Sequence, residues 1–292
     1  MRLEGLGEGS RLYLCYWMGL GKFTLFLLLR YIHYKPDNDS RVMKNRLYVF
    51  AFDFSINKPA CTVYRNIFGE EDIMFYIWPM ELTKKEKAIY EGIDNASGGT
   101  FTCKCRDLDA ISKDSKYSTS ELALEHTKRS LYLASMIARD LDKLIGVIGE
   151  KDRVIIASET LSFGSKGNST LDLATYKGVL LGKLYETFHN VEMYAYAPGT
   201  IKSIAGCATK DKRGDKHAMI KAFLEEKLPS ESFFATKLAS HDLEYVKTKG
   251  KSAGDIEYLH CVDDIADSYF TLKTVSEKEG LGIDFSKCLS SR

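Results

Sequence analysis

The sequence predicts a mixed α/β domain: three strands in an antiparallel meander, then helices alternating with two parallel strands, giving a five-stranded mixed sheet flanked by helices. Two observations carry this. The nearly continuous apolar run Leu47 to Phe54 suits a central strand buried on both faces. After residue 118, long helix-period stretches alternate with short β-rich runs, the pattern of α/β architecture. A chain of 292 residues with 45% hydrophobic content can bury a full core, and one domain with additions is the simplest division.

The elements follow in order. Leu12 to Tyr34 is apolar and aromatic, long enough to span or touch a membrane. Against that, Lys22 sits at its centre, no signal-type cleavage site follows, and Lys35-Pro-Asp-Asn-Asp-Ser reads as a linker. Residues 1–42 are therefore read as an extension outside the domain at 43–292, or as upstream translation of a chain starting at Met43; membrane contact through 12–34 and core packing are the alternatives. Ala60 to Ile67 and Asp72 to Trp78 continue the meander around a turn at Gly69. Residues 79–118, charged and Gly-rich, read as an irregular surface insertion. Ser118 and Glu121 form a capping box for a helix to about Ile148, with Ala134, Ile137, Leu141, Leu144 and Ile148 on one stripe. A strand at Arg153–Ser158, a helix from Thr170 to Phe188, a strand at Val191–Ala197, a break at Pro198-Gly199 and a helix from Lys216 to Lys227 follow. No internal repeat is visible.

The formal net charge of +1 excludes a surface coated in phosphate-binding residues, so a nucleic-acid contact must be a local patch. Lys202, Lys210, Lys212, Arg213 and Lys216 form the densest positive segment, suited to phosphate contacts, although such a segment can also be a solvated loop. The seven cysteines, at 15, 61, 103, 105, 207, 261 and 288, form no CxxC pair and no tight zinc spacing, which points to a reducing compartment. Cys103 and Cys105 read as strand residues rather than half of a metal site.

Four acids stand out. Asp264 and Asp267 lie three residues apart on a helix whose apolar stripe is Ile265, Ala266, Tyr269, Phe270 and Leu272, so both project from one face. Asp53 ends the first apolar run, and Glu159 ends Val154 to Ala157. Any one of these, alone, reads as a cap or a solvated side chain; the ordered set reads as metal ligation.

Three strands followed by α-β-α-β-α, with acids at these places, resembles the ribonuclease H-like layout. Ala51-Phe-Asp-Phe-Ser, Ser158-Glu-Thr-Leu-Ser-Phe-Gly-Ser-Lys-Gly, Ala197-Pro-Gly-Thr-Ile-Lys, Asp215-Lys-His-Ala-Met-Ile and Val262-Asp-Asp-Ile-Ala-Asp occur in the order and spacing of RuvC-type Holliday junction resolvases. The chain resembles their bacteriophage-encoded branch most, over residues 47–275. It departs in the longer span between the first two acids and in the hydrophobic N-terminal extension.

The resemblance implies a metal-dependent endodeoxyribonuclease that cuts four-way junctions, with forks, flaps and Y-junctions as further substrates. Phosphodiester hydrolysis needs an activated water and neutralised charge, which two divalent ions about 4 Å apart supply. Mg²⁺, with Mn²⁺ able to substitute, takes carboxylate oxygens. Asp53 is the expected bridging ligand, completed by Glu159, Asp264 and Asp267; the family's acid-x-x-acid spacing selects Asp264 over Asp263. By the same resemblance Lys202 and Lys216 align with basic positions near the scissile phosphate. Lys166, in a loop with Gly164 and Gly167, is a further phosphate contact. Phe163 is a candidate wedge at the branch point or, alternatively, a core plug. His217 reads as a surface helix residue or as a group positioning water beside Lys216. A two-fold junction cut in two strands implies a homodimer, and the expected location is cytoplasmic, that of a host if the chain is phage-encoded. Three other readings stand beside this one: an actin-like or sugar-kinase ATPase, for which Gly-rich phosphate loops are lacking; another ribonuclease H-like nuclease acting on RNA-DNA hybrids; and a non-catalytic branched-DNA-binding module.

Overall fold

The computed structural model describes residues 45–55, 57–80, 82–105, 118–161, 168–188, 191–207, 216–226, 244–246, 254, 256–258 and 260–290. The extension 1–42, with its candidate membrane segment 12–34, lies outside them. Leu47–Asp53 forms β1, and its central residues are buried on both faces, as a strand between two helical layers requires. β2 (Ala60–Ile67) pairs antiparallel with β1, and β3 (Glu70–Ile77) antiparallel with β2. The two-residue turn between β2 and β3 holds Phe68 and Gly69 at positive φ, 58° and 97°, and the Gly69 amide donates to Asn66 Oδ1 at 2.9 Å.

Between β3 and the long helix the structure corrects the irregular reading of 79–118. Lys84–Ala96 is a helix, α1, with Thr83 and Glu86 closing a capping box at its start. Phe101–Cys103 is a short strand, β4, parallel to β3. The insertion is thus partly folded against the sheet: Tyr90, Ile93 and Phe101 are buried in its core. Residues 106–117 lie outside the described residues.

α2 (Thr119–Ile145) starts at the expected Ser118–Glu121 capping box. It stops at Ile145, earlier than the expected Ile148, because Gly146 at φ 68° turns the chain away. Then come β5 (Arg153–Glu159), α3 (Asn168–Thr187), β6 (Val191–Tyr196), α4 (Pro198–Ile204), α5 (Lys216–Glu225), a separate antiparallel pair β7 (Glu244–Val246) and β8 (Ile256–Tyr258), α6 (His260–Lys278) and α7 (Phe285–Ser290). Pro198 opens α4 rather than marking a break, since a proline at a first helical position gives up no hydrogen bond.

The main sheet has the order β4-β3-β2-β1-β5-β6, with β5 parallel to β1 and β6 parallel to β5. All five expected strands are present in the ribonuclease H-like arrangement, and β4 adds a sixth at one edge. Alternation along β1 sends Val49 and Ala51 to one face and Tyr48, Phe50 and Phe52 to the other. The first face packs on α5 and α6 through Phe223, Ile265, Tyr269 and Phe270. The second packs on α2 and α3 through Leu133, Ile137, Leu141, Leu180 and Leu184. Each such fully buried side chain contributes about 1.5–3 kcal/mol. Helix α6 is pinned to the sheet by a buried contact between the hydroxyls of Ser268 and Thr62, 2.8 Å apart.

Cys61, Cys103, Cys105, Cys207 and Cys288 form no disulfide; Cys103 lies in β4 and Cys105 just beyond it. No described helix is long and apolar enough to cross a membrane.

Candidate active site

The ladder between β1 and β5 ends at the pair Phe52 and Ser158, so Asp53 and Glu159 leave the two central strands side by side. Both share the parity of the residues that face α6: Val49 and Ala51 on β1, Ile155 and Ala157 on β5. Their carboxylates therefore emerge on the α6 side of the sheet, at the carboxyl ends of parallel strands. Asp264 and Asp267 lie in the N-terminal half of α6, whose Val262, Ile265, Ala266 and Tyr269 are locked into the core. The apolar stripe thus fixes the rotation of the helix, which sets where the two aspartates project.

Electrostatics records the convergence. Burial pushes the Asp53 carboxyl well above the usual range, and the carboxylates of Asp264, Asp267, Glu159 and Asp263 push it further, in that order. Asp264 thus acts on Asp53 more strongly than Asp263 does; Asp263, in the first turn of α6, is itself buried. Glu159 is also raised by burial, against which Lys202 and Lys177 hold it down. Lys202, in the last turn of α4, is half-buried, and its charge stands within reach of Glu159.

Among the described residues no three His, Cys, Asp or Glu side chains stand close enough to enclose one ion. Asp264, Asp267 and Glu159 are nonetheless near enough to raise the Asp53 pKa. In kind the donors suit a hard divalent cation, being all carboxylate oxygen. Closing on such an ion would require these side chains to draw together.

Lys216 opens α5, and its side chain, like that of His217, lies outside the described residues. Phe163, Lys166, Lys210, Lys212 and Arg213 also lie outside them.

Sequence reasoning missed two neighbours on α3. The Lys177 ammonium donates to the Glu159 carbonyl and sits 5.1 Å from the Phe54 ring centroid. Lys177 is only 9% exposed; burial lowers its pKa, and Glu159 opposes that. Beside it, the Tyr176 hydroxyl is buried with no hydrogen-bond partner among the described residues, its pKa pushed up by burial and then by Asp53. Nothing in the sequence marks these residues: both fall mid-helix, and their relevance appears only when α3 packs across the end of β1 and β5.

No protein-family model matches the chain, and no curated protein matches it. Among solved structures it is similar to Thermus thermophilus RuvC at 10% identity, covering 80% of this chain and 96% of that one with a TM-score of 0.34. For T. thermophilus RuvC in complex with Holliday junction substrate the values are 11%, 80%, 96% and 0.32. For the fowlpox virus Holliday junction resolvase they are 15%, 79%, 99% and 0.34. Superpositions this loose leave the functional reading to the residues of this chain.

Proposed function

We propose that this chain is a metal-dependent endonuclease acting on branched DNA, with four-way junctions as its principal substrate. What supports the reading is that Asp264, Asp267 and Glu159, from two further elements, all act electrostatically on the buried Asp53 carboxyl at the end of β1. Asp53, Glu159, Asp264 and Asp267 would hold Mg²⁺ or Mn²⁺. When bound, such ions supply an activated water and neutralise charge on the phosphate and leaving oxygen. The protein's part is to keep the ligands in place. β1 and β5 fix Asp53 and Glu159 through their ladder, and the buried Ser268–Thr62 contact fixes α6 one residue from Asp267. Lys202, whose charge reaches Glu159, would offer a cation to the phosphate. Lys166, Lys210, Lys212, Arg213 and Lys216 supply backbone contacts that position the duplex arms without reading sequence, and Phe163 is the wedge candidate at the branch. A second copy of the chain supplies the second cut of a two-fold junction.

The test is cleavage of a labelled four-way junction, beside linear duplex and an RNA-DNA hybrid, in Mg²⁺ or EDTA, by wild type and Asp264→Asn. Paired symmetric nicks in the junction that need metal and vanish in the variant support the reading. Cleavage of the hybrid alone would move the chain to another ribonuclease H-like activity. Junction binding without cutting in any metal would make it a binding module.

A further inference from the structure

The ladder that aligns β1 with β5 stops one residue short of the acids, at Phe52 and Ser158. Beyond it, the strand ends that carry Asp53 and Glu159 need another tie if the carboxylates are to keep their spacing. Lys177 supplies one. It reaches from α3, on the opposite layer from α6, with its ammonium on the Glu159 main-chain carbonyl and over the ring of Phe54, the residue following Asp53. Its backbone is anchored by Tyr176 and Leu180, both buried against the sheet, and Tyr176 meets Phe54 edge-on at 6.4 Å. A lysine this enclosed is costly to bury without a purpose for the charge. Among the described residues, its ammonium contacts the Glu159 carbonyl and the Phe54 ring, one on each acid-bearing strand end.

We propose that Lys177 is a positioning residue for the metal-binding acids: by tying the Glu159 carbonyl to the Phe54 ring it sets the separation of Glu159 from Asp53 at which a divalent cation can be held. This rests on the nuclease reading above. The role differs in sign from that of a bystander cation. A positive charge that merely neighbours the acids repels Mn²⁺, so removing it tightens metal binding; a tie that preorganises the acids weakens binding when lost.

The experiment uses the full chain as wild type, Lys177→Met, Lys177→Gln, Lys177→Arg and Asp264→Asn. Mn²⁺ affinity is measured by calorimetry, junction affinity in non-cleaving Ca²⁺, turnover on the junction in Mg²⁺, and folding by circular dichroism. Lys177→Met is expected to weaken Mn²⁺ binding and lower kcat by about 10- to 100-fold, the range found when groups that orient metal ligands are removed. Junction affinity should stay the same. Lys177→Arg, which keeps charge and donors, should recover part of both. Lys177→Gln keeps a donor without charge and serves as the comparison if the methionine variant folds poorly. Tighter Mn²⁺ binding by Lys177→Met, or kcat and Mn²⁺ affinity equal to wild type in Lys177→Met and Lys177→Gln, overturns the proposal while Asp264→Asn still abolishes cutting. If wild type takes up no Mn²⁺, or Asp264→Asn cuts like wild type, the nuclease reading fails and the role of Lys177 falls with it.

Discussion

The hydroxyls of Thr62 and Ser268 are fully buried, 2.8 Å apart, and join the sheet to the helix that carries Asp264 and Asp267. Ser268 Oγ also donates to the Ile265 carbonyl at 2.9 Å. A hydroxyl has one proton to give, so Thr62 must be the donor in the pair and Ser268 its acceptor. The two deletions are therefore unequal. Ser268→Ala strands the Thr62 proton in the core, which costs about 1–3 kcal/mol. Thr62→Val removes the donor but leaves Ser268 satisfied by Ile265, at about 0.5–1.5 kcal/mol. The double variant removes the stranded proton as well, so its loss should fall short of the sum, with a coupling of about 0.5–3 kcal/mol. In a domain of this size about 2 kcal/mol corresponds to a fall in Tm of about 4–8 °C. Urea denaturation of the four proteins at constant m value measures the cycle. Additive losses, or a larger loss for Thr62→Val than for Ser268→Ala, would refute the reasoning.

Three further outcomes are expected. Asp152 accepts from the Arg46 amide at 3.1 Å, from Arg46 Nε at 2.9 Å and from the Gly149 amide at 2.6 Å. Burial opposes its ionisation, but these partners hold its pKa net below the usual value. A depressed carboxylate stabilises the fold above its unfolded pKa and ceases to as pH falls through the folded one, so Asp152→Asn should cost about 1–2 kcal/mol at pH 7 and nothing in strong acid, as Tm against pH will show. Tyr176→Phe removes a buried hydroxyl that has no partner among the described residues, and should leave Tm unchanged or raise it, by up to about 1 kcal/mol in denaturant titration; a loss of stability would mean the hydroxyl is satisfied. Lys202→Ala, which deletes the cation beside Glu159, should lower turnover on a junction by about 10²- to 10³-fold while junction affinity in Ca²⁺ falls less.

β1 and β5 were legible because burial on both faces demands apolar runs, and Asp53 and Glu159 were legible because they end those runs. Helix α1 was not: its face is largely charged, and among the described residues Tyr90 and Ile93 are its only fully buried apolar ones. Its start did carry a signal, since Thr83 and Glu86 make the same capping box that located α2 at Ser118 and Glu121. β4, three residues long, is too short for a period to be read. Pro198 is compatible with a break or a helix start, and only the packed Ile201 decides between them. Asp264 could be preferred to Asp263 only through the resemblance; in the fold, the helix rotation set by Ile265 and Ala266 makes Asp264 the stronger neighbour of Asp53. Lys177 and Tyr176 had no local signature, because their place at the strand ends arises from the docking of α3 on the sheet.

The most direct test of the account is Mg²⁺-dependent nicking of a four-way junction by Asp53→Asn, Glu159→Gln, Asp264→Asn, Asp267→Asn and Asp263→Asn, each confirmed folded. Each of the first four should lose about 10²-fold or more, as when a group stabilising transition-state charge is removed, with Asp263→Asn retaining most activity. An Asp263 variant as impaired as Asp264→Asn, or any of the four cutting like wild type, would contradict it.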